Sequence, residues 1–193
     1  MESHRSIQIN DSLPLPLRNA ALFYATDLNT EGLGLSLIEA FGIGRVGDEA
    51  HRRSVWLCVL AARRVLYGWE ALECEGDVPA QAVDAAANWV QTGIAPPDWR
   101  PFCIPAEPVR NGRIITDCDA CRAEPIALAA AHTASFVTSA AESEAADTLF
   151  AAWCAVDEGI HWPDSMPFEP WIAVVALPAA YDLRPLTEHE LRL

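Results

Sequence analysis

The sequence predicts a mainly α-helical fold: a single domain over residues 1–193 of stacked helical hairpins, a bundle or short solenoid, with a Pro-rich loop insert at 94–116. Three observations predict it. Hydrophobic residues make up 51% of the chain and the commonest of them is Ala, the strongest helix former and small enough for helices to pack closely. Apolar residues recur at three- and four-residue steps through most of the chain, the period of one helix face. Prolines at 96, 97, 101, 105 and 108 crowd a single segment, so the longest break in the helical pattern falls in one place.

Between Leu17 and Leu28, and again between Leu33 and Phe41, short apolar patterns flanked by Gly predict two modest helices. The strongest element follows Asp48. Val55, Val59, Ala62, Leu66 and Trp69 recur in helical register, with Arg52, Arg53, Arg63, Arg64, Glu70 and Glu73 at other positions, which predicts a long amphipathic helix ending near Gly76. Asp77 followed by Pro79 is a helix start, with a capping carboxylate and a first-turn proline; Val83, Ala86, Ala87 and Val90 then line one face until Gly93. The two make a helical hairpin.

From Ile94 to Thr116 the prolines force extended backbone, and Val109-Arg110-Asn111-Gly112-Arg113-Ile114 carries the Asn-Gly signature of a small β-hairpin. Helical patterning resumes near Asp119, with Leu128, His132, Ser135 and Phe136 on one side, and again from Ser143, with Leu149, Trp153 and Val156 in register. These form a second helical hairpin. A loop of aromatics between prolines (159–170), an apolar segment from Trp171 and a last capped turn at Thr187-Glu188 complete the chain.

The formal net charge of −14 argues against nucleic acid or an anionic membrane as partner, since both select basic patches. All the positive charge is Arg; the chain has no Lys. The first dozen residues hold no apolar run that would serve as a secretory signal, and the longest apolar run, Trp171 to Tyr181, is interrupted by Pro178 and too short to span a bilayer. A cytoplasmic location is expected, and with it six reduced, structural thiols.

Candidate chemistry is sparse. Cys118 and Cys121 have the CxxC spacing of redox pairs and of half a zinc site, but one CxxC lacks two ligands, and Cys103 and His132 are the nearest suppliers. Asp117 and Asp119 beside the pair oppose a thiolate. The helical alkylhydroperoxidase-like enzymes place a histidine shortly after the second cysteine, where this chain has Arg122, Ala123, Glu124 and Pro125. His132, alongside Leu128 and Phe136, reads as a satisfied core residue. No phosphate loop, nucleophile elbow or H-E-x-x-H is present, so no catalytic residue and no cofactor are expected.

Trp56, Trp69, Trp89 and Trp153 fall inside helical patterns and read as core. Trp99, Trp162 and Trp171 lie in or beside Pro-rich loops, where an aromatic either caps the core or anchors an interface. Carboxylates gather at Glu70, Glu73, Glu75 and Asp77, and again at Glu142, Glu144, Asp147, Asp157 and Glu158. They read as a solubilising surface or as a footprint that steers a basic partner.

The run Arg53 to Glu70 (RSVWLCVLAARRVLYGWE), then Asp77-Val78-Pro79 with AQAVDAAANWVQTG, and Ala130-Ala131-His132 resemble helical immunity proteins of bacterial polymorphic-toxin systems, including contact-dependent and type VI secretion systems, over residues 50–93 and 123–156. The resemblance implies a non-enzymatic protein that binds and blocks a cognate toxin by occlusion. The sequence expectation is therefore an acidic immunity protein for a toxin with a basic surface, contacted through Glu70, Glu73, Glu75, Asp77, Trp99, Asp157, Glu158 and Trp162. Acidity suits a nuclease target without specifying one. A small metal-binding or thiol-redox protein using Cys118, Cys121 and His132, and an effector adaptor or chaperone, are the other two readings.

Overall fold

A computed structural model describes residues 7–26, 33–160 and 165–193. The two N-terminal helices are α1 (Leu15–Thr26) and α2 (Leu33–Glu39). The first begins earlier than the apolar pattern suggests, because Pro16 sits in its first turn, where a missing N–H costs nothing; the rest of its expected span, 27–28, lies outside the described residues.

The longest helix, α3 (Glu49–Ala71), starts where Asp48 accepts the His51 N–H at 2.7 Å. The sequence predicts an amphipathic helix here, but residues 54–62 are buried all round. Other helices pack on α3 from several sides, so the turns over 54–62 have no solvent face. It also stops at Ala71, short of Gly76. Glu73 takes a positive φ of 56°, its N–H donates to the Glu70 carbonyl at 2.9 Å, and the Cys74 N–H donates to the Trp69 carbonyl at 3.0 Å. Those two bonds make a Schellman stop with glutamate in the position glycine usually fills.

Helix α4 (Val78–Thr92) has Pro79 in its first turn and ends on Gly93 at φ 74°, but the Asp77 side chain makes no capping bond. Strands β1 (Val109–Arg110) and β2 (Arg113–Ile114) pair antiparallel, Val109 opposite Ile114. Asn111 and Gly112 both have positive φ, as a two-residue type I′ hairpin turn requires. Helices α5 (Cys118–Ser139) and α6 (Glu142–Asp157) form the second hairpin.

The apolar C-terminal segment is α7 (Phe168–Trp171), a wide π turn (Ile172–Ala176) and α8 (Leu177–Tyr181) in succession, followed by α9 (Glu188–Arg192). Pro178 has no N–H for the Val174 carbonyl, and the wide turn, in which the Leu177 N–H reaches back to the Ile172 carbonyl, re-spaces the ladder just before it. Trp171, expected in or beside a loop, is fully buried in α7 and donates its indole N–H to the Glu190 carbonyl at 2.8 Å. The Trp56 indole donates to the Arg184 carbonyl at 2.8 Å, fastening this segment to α3.

Four long-range contacts fix the helix directions. Arg52, at the start of α3, donates to the Val90 carbonyl near the end of α4. The His51 ring bonds the Phe136 carbonyl near the end of α5. At the other end Gly68 of α3 packs against Ile126 of α5 and against Ile160, just beyond α6. The core is therefore a four-helix bundle in which α4 and α5 run parallel to each other and antiparallel to α3 and α6. Parallel neighbours cannot be joined by a tight turn, so the chain must travel back along the bundle between them. The Pro-rich segment is that crossover.

Candidate partner-binding site

The end of the bundle where α3 stops carries the sequence's first acidic group. Glu70 lies in the last turn of α3, Glu73 and Glu75 in the turn that follows, and Asp77 at the head of α4, all exposed. The crossover and the α5–α6 hairpin bring the C-terminal end of α6, with exposed Asp157 and Glu158, to the same end. Ile160 packs on Gly68, and a Cβ on Gly159 would lie 3.7 Å from Arg122 Nη2 of α5. Asp117 and Asp119 at the head of α5 join them. Against these carboxylates stand Arg110, Arg113 and Arg122, so the pole is net negative.

The acidic residues divide by what they already hold. Glu75 is a tether: its N–H donates to the Val109 carbonyl at 2.6 Å and its carboxylate accepts the Gly112 N–H at 2.7 Å, pinning the β-hairpin to the α3–α4 turn. Asp119 and Asp117 hold the Arg110 guanidinium at 2.8 and 3.2 Å. Glu70 and Asp77 line an open cleft of about 340 Å³ whose other walls are Leu66, Tyr67, Trp69, Cys74, Gly76 and Ala80. The Trp69 indole donates to the Gly76 carbonyl at 2.9 Å, which fixes one wall.

Two of the titratable groups around the cleft are held in their neutral forms. Burial pushes the Cys74 thiol up, with Asp119 adding to the effect and Arg110 opposing it, so it stays a protonated thiol and a poor nucleophile. Burial likewise raises the Tyr67 phenol, partly offset by Arg64; it is a neutral hydroxyl. The pole offers negative charge, aromatic surface and a concavity.

Cys118 and Cys121 are exposed free thiols on the first turns of α5. His132 lies on the same helix, eleven positions beyond Cys121, so about 16 Å along the axis separates them and they cannot share a ligand. Among the described residues no group of three His, Cys, Asp or Glu side chains is placed to hold a metal. His132 is not a core residue either. It is half-exposed and its Nδ1 lies 2.7 Å from Glu144 Oε2 of α6. The helix buries Ala123, Ile126, Ala127, Ala130, Ala134 and Val137, and of the side expected to face inward Phe136 is fully buried while Leu128 is exposed.

Among the described residues the buried histidine is His51. The Gly47 N–H donates to its Nδ1 at 2.9 Å, which leaves Nε2 as the donor to the Phe136 carbonyl at 2.9 Å. Trp89 and Phe136 stand edge-on to its ring. It is a structural residue at the end opposite the acidic pole. Glu142 and Glu144, at the start of α6, lie at that opposite end too, so the second acidic group of the sequence is split by the length of α6.

Trp99 is half-buried and edge-on to Phe102, with ring centroids 6.2 Å apart, within the crossover. Trp162 lies outside the described residues. Of the residues that wall the cleft, Leu66 is expected only as part of the apolar register of α3 and Tyr67 not at all; their signal is their spacing from Glu70, four and three residues along one helix face. Compared with protein-family models, with curated proteins and with solved structures, the chain matches none.

Proposed function

We propose that this chain is an immunity-type inhibitor that acts in the cytoplasm, binding a cognate bacterial toxin through its acidic pole and occluding the toxin's active or substrate-binding site. One observation carries the reading: carboxylates from the end of α3, the α3–α4 turn, the head of α4 and the end of α6 lie at one end of the bundle, beside an aromatic-walled cleft. A concentrated field of one sign steers an oppositely charged partner and raises the association rate by about 10–10³-fold. A rigid bundle end presents it without an ordering cost on binding. A toxin that handles an anionic substrate has the complementary basic groove, and a protein seated there blocks it without chemistry of its own.

The test is co-expression with the polypeptide encoded next to this one. Restored growth and a stable complex support the reading, and no complex with no rescue overturns it. Within a complex, Glu70→Lys combined with Asp77→Lys slows association at least tenfold at low ionic strength, with the deficit shrinking as salt screens the field. An unchanged on-rate removes the pole from the interface.

A further inference from the structure

We propose that the cleft between the last turns of α3 and the head of α4 is a receptor for one arginine side chain presented by a protein partner. The proposal rests on the immunity reading only for the occupant being part of a protein. The cleft itself, about 340 Å³, is at the small end of ligand-sized pockets.

Its walls suit an amphipathic chain ending in a cation. Leu66, Ala80 and the Trp69 ring offer apolar surface for a three-carbon stem, and the Tyr67 ring and the carboxylates of Glu70 and Asp77 stand around the same space. Those two carboxylates, like Glu73 in the turn between them, are uncommitted. Glu75 is bonded to Gly112, Asp117 and Asp119 to Arg110, and Asp84 to Arg63, whereas the Glu70 and Asp77 side chains have no hydrogen bond or ion pair among the described residues. Asp77 is free because it sits at the N-cap position of α4 without capping it.

A guanidinium fits this better than an ammonium. It is flat, lies against an aromatic face, and spreads several N–H donors in a fan that two separate carboxylates can share. The indole of Trp69 is already held by its bond to Gly76, so the cleft needs little ordering to receive the side chain. A basic side chain buried in a preformed aromatic and acidic pocket is the kind of contact that dominates an interface.

The experiment titrates the full chain, ¹⁵N-labelled, with N-acetyl-arginine amide and with its neutral isostere N-acetyl-citrulline amide. The expected result is saturable shifts of the Trp69 indole N–H and the amides of 66–80 with the arginine compound, and none with citrulline. Glu70→Gln with Asp77→Asn weakens that binding about tenfold or more; Asp157→Asn with Glu158→Gln, outside the cleft, leaves it intact. Equal responses to the two compounds, shifts spread over the whole surface, or an unaltered affinity in the Glu70/Asp77 variant would overturn the proposal. The comparison of ligands needs no variant, so a folding defect cannot mask it. Arginine binding in a chain that rescues no toxin sustains the cleft and removes the immunity reading. A toxin complex formed by a chain that treats arginine and citrulline alike does the reverse.

Discussion

Replacing Gly68 with alanine sets two known effects against each other at the contact that joins the ends of α3 and α6. In a helix interior the change alone stabilises by about 0.8–1.0 kcal/mol, because glycine loses more backbone freedom on folding. The added Cβ, however, would fall 2.5 Å from Ile160 Cγ2, 2.9 Å from Ile126 Cδ1 and 3.0 Å from Ile160 Cδ1, well inside the roughly 3.5–4.0 Å at which carbon atoms attract. The Ile126 methyl is the free end of a side chain and can swing away. Ile160 Cγ2 is bonded directly to Cβ of a branched residue and moves only with χ1 or the backbone, and that backbone is held by the Ile160 N–H bond to the Ala155 carbonyl at 2.9 Å. Overpacking of this kind costs about 1–3 kcal/mol.

The clash therefore exceeds the propensity gain, and Gly68→Ala destabilises by about 1 kcal/mol, lowering Tm by about 2–4 °C for a chain of this size. Ile160→Ala removes both offending carbons, at its own cavity cost of about 2–5 kcal/mol. In that background Gly68→Ala becomes stabilising by about 0.8–1.0 kcal/mol, which makes the coupling between the two sites about 2 kcal/mol. Urea unfolding of the four proteins, followed by tryptophan fluorescence, reads it directly. If Gly68→Ala stabilises the native background, or if the cycle shows no coupling, then α6 does not close on α3 as described, and the placement of Asp157 and Glu158 beside Glu70 falls with it.

His51 is neutral in the folded protein, its pKa lowered chiefly by burial against the opposing bond to Phe136. The unfolded chain takes up a proton there below about pH 6.5 while the folded one resists, so stability falls as the pH drops from 7.5 to 5.5. Urea midpoints across that range give the slope, and His51→Gln should flatten it; an equal slope in both proteins excludes His51 as its source. Exposed Cys118 and Cys121 should react promptly with a thiol reagent in the native state, whereas Cys58, fully buried with its thiol pushed up to about 12, reacts only on unfolding; peptide mapping after a timed pulse separates them. Glu73→Gly relieves a left-handed residue and should raise stability by about 0.5–1 kcal/mol after the larger entropy of the unfolded glycine is deducted, and a loss instead would mean the Glu73 side chain anchors the turn.

The helices that bear the site were legible because their signals are local. Asp48, Pro79 and Gly93 mark ends by backbone chemistry, the face of α4 repeats cleanly, and Asn111-Gly112 leaves a hairpin little choice of turn. Large side chains report burial on α3, where Trp56 and Trp69 are core as expected, but they mislead on α5. In α5 the buried positions are mostly alanine, so the larger Leu128 and the neighbouring His132 suggest an inner face of which only Phe136 is fully buried. The stop of α3 at a glutamate was hidden for a related reason, since glycine is the residue that advertises a left-handed stop. Of the site, Glu70, Glu73, Glu75 and Asp77 are sequence neighbours and came together by default. Their separate duties, Glu75 as a tether and Asp77 as an uncommitted carboxylate, depend on where the hairpin lands.

The arrival of Asp157 and Glu158 at that same end follows from the topology. A short loop after Gly93 would start α5 beside the end of α4, where His51 lies. Helix α6 would then finish at that end as well, carrying Asp157 and Glu158 the length of the bundle away from Glu70. The crossover reverses both helices. It must regain the height of α4, 15 residues or about 22 Å at 1.5 Å each, which fewer than ten extended residues cover at about 3.3 Å apiece. The surplus is spent on the turn at Trp99–Cys103 and on the β1–β2 hairpin, which Glu75 clasps at the acidic end and which delivers Arg110 to Asp117 and Asp119. The segment that departs most from the helical pattern is thus the one that assembles the pole, and loosening it at Glu75 should disturb the pole before it disturbs the bundle.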